Sequence, residues 1–273
     1  MPELPETETI ARDLDGALRG AVVRSVRVDR RDVLRGVTPA ALCARLRGAA
    51  LTTVARRAKS IVIAFGEGAR LVVTPRFTGT LLLDGASDET YTCLRFDLVD
   101  GRVLRYRDIR RLGTVSLLDA AAFADWSASL GPEPLDPALT TERFSGILRG
   151  SKRAVKSILM DQRRLAGVGN IYANEACWLA GVRPMRRGAS LRLAECAALL
   201  THLRAVLKAS IALRGTTFRD FRDAYGARGG FAARLQAYGR AGEPCRRCGA
   251  ALASSHALAG RQTVWCPDRE CQR

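Results

Sequence analysis

Val22-Val23-Arg24-Ser25-Val26-Arg27-Val28 alternates apolar with basic or hydroxyl side chains, the two-residue period of a half-buried β-strand. Working outward, Ser60-Ile61-Val62-Ile63-Ala64-Phe65 and Arg70-Leu71-Val72-Val73 are apolar runs of strand length. Tyr91 to Leu98 and Arg102 to Tyr106 flank Asp100-Gly101, a hairpin signal. One helix, Pro39 to Leu46, interrupts the series. Another precedes it from Pro5 to Leu18, with Ile10, Leu14, Ala17 and Leu18 on one face. Roughly seven short strands with close turns between Ala21 and Leu118 predict an antiparallel sandwich.

Leu130-Gly131-Pro132-Glu133-Pro134-Leu135-Asp136-Pro137 is the natural boundary, because its prolines and glycine stop both kinds of element. Beyond it the period turns helical through Phe144–Leu148, Val155–Leu159 and Leu193–Leu213. The fold class is therefore α+β. An N-terminal antiparallel β-sandwich domain flanked by helices spans 1–131, a helical domain 138–235, and a cysteine-rich end 236–273.

Lys plus Arg number 44 against 27 acids, a net charge of +17 over 273 residues. Such an excess points to a polyanion, nucleic acid first and an anionic membrane second. No apolar run approaches the ~20 residues of a spanning helix, and no basic-then-apolar leader opens the chain. The reading is a cytosolic protein with no membrane partner. From Arg143 to Arg187 ten basic residues face only Asp161 and Glu175, which suggests a phosphate track beyond an ordinary solvated face.

Cys43, Cys93, Cys177 and Cys196 are scattered among apolar neighbours and read as reduced core residues. Cys245-x2-Cys248 and Cys266-x4-Cys271 differ: two close pairs of thiols match one tetrahedral, structural zinc ion. Free thiols are the alternative. Between the pairs, Gly260-Arg261-Gln262-Thr263-Val264-Trp265 reads as a hairpin with Arg261 near its tip, most simply a phosphate contact.

Two further stretches carry chemistry. Met1-Pro2-Glu3-Leu4-Pro5-Glu6 places a proline where loss of the initiator methionine leaves a secondary amine beside a carboxylate. Attack of that amine on a sugar C1′ gives an iminium ion, a proton-independent electron sink for β-elimination. The simpler alternative is a helix start, with Glu6 and Glu8 at its positive end. In Leu165-Ala166-Gly167-Val168-Gly169-Asn170-Ile171, a helix ending near Leu165, two left-handed glycines and an Asn170 cap leave N–H groups free for phosphate. An ordinary helix–turn–helix connection fits equally. Lys59, in Arg56-Arg57-Ala58-Lys59-Ser60, marks a basic strand mouth suited to electrostatics or proton transfer, although most such lysines are merely solvated.

The opening Pro2-Glu3-Leu4-Pro5-Glu6 and Arg57-Ala58-Lys59 resemble the bacterial formamidopyrimidine-DNA glycosylase and endonuclease VIII family. So do Asp108-Ile109-Arg110-Arg111-Leu112-Gly113, Gly167-Val168-Gly169-Asn170-Ile171-Tyr172 and Tyr238-Gly239-Arg240-x2-Gly242-Glu243-Pro244-Cys245. The order holds along nearly the whole chain. The resemblance implies a β-sandwich, a helix–two-turns–helix domain and a zinc finger, with duplex DNA bound across a cleft by a monomer. It implies a bifunctional glycosylase and abasic-site lyase of base excision repair, acting in a bacterial cytoplasm at the nucleoid. In that scheme Pro2 attacks C1′, Glu3 is the general acid, and Lys59 contacts phosphate and assists β-elimination. Asn170 and Arg261 grip phosphates, Arg261 also assisting δ-elimination. Arg110 enters the space left by the extruded base.

Several positions depart from the family's pattern. Phe77 stands where methionine is usual and Leu112 where a phenylalanine wedge is usual, both still apolar void fillers. Tyr91 and Ser151 replace a histidine and a lysine that contact DNA, with Lys152 and Lys156 nearby. Gly215 to Tyr238 resembles, at full length, the loop that caps flipped 8-oxoguanine, although Tyr225, Arg228 and Gly230 are atypical. The expectation is oxidised purines as substrate. An endonuclease VIII-like preference for oxidised pyrimidines, and a non-catalytic zinc-finger lesion binder, stay open as alternatives.

Overall fold

Alternation becomes sheet in the computed structural model, which describes residues 1–84, 90–258 and 260–273. Helix α1 (Leu4–Leu18) leads into strands β1 (Val23–Val28) and β2 (Leu34–Arg35), helix α2 (Pro39–Leu46), then β3 (Leu51–Arg57) and β4 (Ser60–Phe65). Next come β5 (Arg70–Thr74), β6 (Gly79–Leu83), β7 (Thr92–Leu98), β8 (Val103–Asp108), β9 (Thr114–Leu118) and helix α3 (Ala120–Ala128). The helical part has α4 (Thr141–Arg149), α5 (Val155–Leu159), α6 (Asn170–Leu179) and α7 (Leu193–Ala212), and the chain ends in the hairpin β10 (Ala253–Ser255) and β11 (Thr263–Trp265).

Besides the β10-β11 hairpin, two sheets form among the described residues, β1-β7-β8-β6 and β2-β9-β5-β4-β3. Their pairings are antiparallel except that Leu34 and Arg35 run parallel to Val115 and Ser116, a short correction to the all-antiparallel expectation. Leu94, Phe96, Leu104 and Tyr106 from one sheet and Ile61, Ile63, Leu71 and Val73 from the other bury one core with Ile10, Leu14 and Leu18 of α1. These α1 residues recur every four positions and so share a face. The Asp100-Gly101 turn forms as read: Gly101 is left-handed at φ +92°, and Leu98 N–H bonds Arg102 O at 2.9 Å. Thr38 caps α2 by accepting from Ala41 N–H, with Pro39 opening the first turn.

By packing, the chain divides into Met1–Ser129 with Ser210–Ala232, and Leu130–Ala209 with Ala233–Arg273. Residues 210–232, read from sequence with the helical domain, bond to the sandwich. Thr216 N–H donates to Glu6, Leu83 N–H to Ala224 O, and Thr80 Oγ1 to Arg222 O. Asp223, buried, accepts from both Arg214 and the N–H groups of Tyr225 and Ala227, which fixes the base of this segment. In the second unit the helix expected to end near Leu165 ends at Leu159 instead. Asp161 N–H then bonds Ile158 O, and Gln162 organises the loop that follows. No helix among the described residues is long and apolar enough to cross a membrane.

Candidate nucleic-acid and metal sites

The first candidate site lies at the start of α1. Pro2 and Glu3 are buried, Glu3 at 1 % exposure, while Met1 remains at the surface. Glu3 N–H donates to Glu6 Oε2 at 2.8 Å, the returning half of a capping box. Glu6 Oε1 accepts Thr216 N–H at 2.7 Å, so one buried carboxylate ties the helix start to the 210–232 segment. The helix-start reading of this stretch is therefore realised, with Glu3 at the cap position and proline in the first turn.

Lys59 occupies the two-residue turn between β3 and β4, beside Ala58 at φ +54°, a conformation that non-glycine residues rarely hold. Arg56 links this turn to α1: its Nε donates to Glu8 Oε2 at 2.8 Å and its Nη1 to Ala58 O at 3.0 Å. Burial alone would raise the Glu8 carboxyl, but Arg56 and Arg12 outweigh it and hold it below the usual range.

Phe77, Arg110 and Leu112 are all exposed, and the first two meet. The Arg110 guanidinium lies 4.9 Å from the Phe77 ring centroid, within cation–π range. Asp108, 1 % exposed, anchors the loops that bear them. It accepts from Thr78 Oγ1 at 2.5 Å, Gly113 N–H at 2.8 Å, Arg110 N–H at 3.2 Å and Tyr106 OH at 3.2 Å. Burial and the Asp108 charge push the Tyr106 phenol upward, so it stays a donor. A Cβ at Gly113 would meet the Tyr106 hydroxyl at 1.9 Å, which only glycine avoids. Sequence reasoning quoted Asp108 within a motif but gave it no role; one of its partners, Thr78, lies 30 residues away, a pairing that local sequence does not reveal. Tyr91 is exposed at φ +67°, with Arg107 5.6 Å from its ring.

In the second unit Asn170 is the first residue of α6, and Gly169, not Asn170, takes the cap position. Of the two glycines only Gly167 is left-handed, at φ +82°; Gly169 is extended at φ −128°. Gln162 spans the loop, accepting Gly167 N–H at 2.8 Å and donating to Val168 O at 2.9 Å. Ser151 is buried, its hydroxyl facing Arg153 N–H, so it offers no exposed side-chain contact. Lys156 does not stand in for it. At 1 % exposure, its ammonium donates to Gln262 O and Thr263 Oγ1, both at 2.8 Å, beside Arg261 in the hairpin loop. Part of the Arg143–Arg187 surplus is thus structural, since Arg153 pairs with Asp161, Arg186 with Glu195, and Arg183 donates to Gln272 O. Arg143, Arg149, Lys152, Arg163 and Arg187 remain exposed.

Cys245, Cys248, Cys266 and Cys271 bring their sulfurs within 4.8 Å of one another. Two of the pairs stand at 3.7 Å for Cys245–Cys271 and 3.4 Å for Cys248–Cys266. Tetrahedral zinc with bonds of about 2.3 Å sets its sulfurs about 3.8 Å apart, so the donor set fits that ion. Burial would raise the Cys245 thiol, yet the N–H groups of Arg247 and Cys248, with Cys271 and the Trp178 indole, lower it to about 6. Burial raises Cys271 to about 11 and drives Cys266 up as well. A cation favours the thiolate form of all four.

Known proteins place this arrangement. The formamidopyrimidine-DNA glycosylase N-terminal domain model matches residues 1–115, and the family's H2TH domain model matches residues 130–222. Both describe one class, the helix–two-turns–helix DNA glycosylases. A formamidopyrimidine-DNA glycosylase of Thermomicrobium roseum is 43 % identical, covering 100 % of this chain and 99 % of its own. Another, from Roseiflexus sp., is 41 % identical over the full length of both. Among solved structures, Lactococcus lactis Fpg bound to DNA containing N7-benzyl-Fapy-dG superposes with a TM-score of 0.91, at 30 % identity and full coverage of both chains. The Fpg protein of Thermus thermophilus gives 0.88 at 35 % identity, covering 99 % of this chain and 98 % of that one. The chain belongs to the formamidopyrimidine-DNA glycosylase family.

Proposed function

We propose that this protein excises oxidised purines, 8-oxoguanine and formamidopyrimidines, from duplex DNA and then cuts the strand at the resulting abasic site. Removal of Met1 frees the Pro2 amine, whose lone pair attacks C1′ as the N-glycosidic bond breaks and the base leaves. Glu3 serves as general acid at the sugar, giving its proton to O4′ as the C1′–O4′ bond breaks and the ring opens to the C1′ iminium. The resulting iminium acidifies the C2′ proton; loss of that proton expels the 3′ phosphate, and a second elimination expels the 5′ phosphate. Lys59 contacts phosphate and assists the first elimination, and Arg261 the second. Asn170 and Arg261 hold phosphates, while Arg110, Phe77 and Leu112 fill the vacated stack and Tyr91 and the Ser151 region line the DNA.

The observation that carries the reading is the start of α1. Pro2 and Glu3 are buried together there, Met1 lies outside, and Glu6 fixes the Glu3 backbone. In the division of labour, residues 1–131 carry the chemistry, 138–235 the phosphate grip and lesion cap, and 236–273 a finger holding one structural zinc ion. The protein works as a cytoplasmic monomer at the nucleoid. Borohydride added during reaction with an 8-oxoguanine duplex is expected to trap a covalent adduct at Pro2. Protein verified to begin at Pro2 that forms no adduct, or a Pro2→Gly variant that still incises abasic DNA normally, would refute the mechanism.

One observation favours a second reading of the substrate: Lactococcus lactis Fpg, at a TM-score of 0.90, has been solved with DNA containing an oxidised pyrimidine. Parallel single-turnover rates on 8-oxoguanine and dihydrouracil duplexes separate the two.

A further inference from the structure

Helix α6 turns one stripe toward the cysteine hairpin. Asn174 and Trp178 stand four and eight residues beyond Asn170, on one helical face. Asn174 Oδ1 accepts Val264 N–H of β11 at 2.8 Å, and its Nδ2 donates back to Asn170 O at 2.6 Å. Trp178, 4 % exposed, packs in one cluster with Cys245, Cys266, Leu252 and Val264. Its indole N–H is buried and, among the described residues, meets no acceptor at hydrogen-bonding geometry, although it lies beside the Cys245 sulfur. An indole nitrogen can only donate, and a buried donor without an acceptor is a defect that native proteins rarely keep without a reason. A protonated thiol is a poor acceptor, whereas a metal-held thiolate carries charge and accepts strongly. The other side of the ring is also engaged. Arg247, between the first two cysteines, places its guanidinium 4.2 Å from the Trp178 centroid and donates to Leu179 O at 2.8 Å.

We propose that Trp178 is an outer-sphere partner of the metal centre: its indole N–H donates to the metal-bound Cys245 thiolate, and Arg247 stacked on the ring keeps it aimed. The inference rests on the zinc reading of the four cysteines. It makes Trp178 a positioning residue that joins the metal to the helix beginning at Asn170. Outer-sphere partners of metal ligands shift metal affinity by about 10–100-fold when removed.

The test uses the full-length, zinc-loaded protein. Trp178→Phe keeps an aromatic ring and deletes the N–H; competition with a chelator is expected to show zinc held about 10–100-fold more weakly. Unchanged zinc affinity would overturn the proposal. A measurement on the wild-type chain removes any dependence on the variant's folding. With NMR-active cadmium in place of zinc, the Trp178 indole proton is expected to show scalar coupling to the metal across the N–H···S bond. A well-resolved indole signal without that coupling overturns the proposal while leaving the zinc reading intact. Wild-type protein that takes up neither metal overturns the zinc reading, and this inference with it.

Discussion

In the sandwich, Leu94, Phe96, Leu104 and Tyr106 share an aliphatic and aromatic core with Ile61, Ile63, Leu71 and Val73, and the buried carboxylates of that unit, Glu6, Asp108 and Asp223, bond within it. In the unit formed by Leu130–Ala209 and Ala233–Arg273, the deeply buried side chains include Lys156, Asn174 and Glu175, each at 1 % exposure or less. Each of the three reaches the backbone of the C-terminal segment: Lys156 at Gln262, Asn174 at Val264, and Glu175 at Gln236, Ala237 and Tyr238. The contrast teaches how differently two folded regions can be held. Apolar packing is non-directional and tolerates volume-conserving exchange. A buried ion or amide is directional, and losing one partner strands the other.

The largest expected effect comes from stripping the zinc proposed for the four cysteines. Structural zinc in small fingers supplies about 10 kcal/mol or more of folding free energy. A strong chelator is therefore expected to abolish amide-exchange protection in β10 and β11 while leaving β4 and β7 protected. Equal loss in both regions would erase the distinction between a metal-held finger and an apolar sandwich.

A smaller effect is expected at Glu175. Its carboxylate accepts three backbone N–H groups at 2.8 Å each, and burial raises its pKa despite them. Glu175→Ala strands those donors and is expected to lower stability by about 3–5 kcal/mol, read from denaturant midpoints. Glu175→Gln, which keeps one acceptor, should recover part of that. A loss below that of a surface substitution would show that this carboxylate is not holding the segment.

The smallest effect is electrostatic and tied to pH. Arg186, helped by Arg192, holds Glu195 down to about 2 from its usual 4.5. A carboxyl depressed in the folded state stabilises the protein above its unfolded value, and that contribution fades as pH falls from about 4.5 to about 2. Glu195→Gln should flatten the fall in melting temperature across that window and leave the melting temperature above pH 6 only slightly lower, because the pair is partly solvated. A pH profile identical to the wild type would remove Glu195 from the acid response.

Much of the architecture was legible because periodicity is a local signal. Val22–Val28, the Asp100-Gly101 turn, Pro39–Leu46 and Val155–Leu159 all fold as their spacing says. The clustered cysteines were legible too, since two tight pairs are themselves a geometric statement. What escaped was the destination of polar side chains. Lys156 reads as one more cation in a basic run, yet it turns inward because Gln262 and Thr263, 106 and 107 residues away, supply its acceptors. Ser151 is buried for a similarly non-local reason, with Ala189 N–H bonded to its carbonyl at 2.9 Å. The misplaced helix end near Leu165 has a local cause. Gln162 accepts and donates across the loop, which makes a side chain do what a further helical turn would have done.

Ala58 holds a left-handed backbone without being glycine. For an L-residue that conformation is disfavoured by about 1–2 kcal/mol, a burden a glycine there would escape. The missing glycine also means a missing hinge: with fewer backbone states open to the turn, Lys59 leaves the sheet along one bearing. Under the role proposed for Lys59, stability is conceded at this corner in exchange for aim, and a loosened corner would have to find that bearing anew on every encounter.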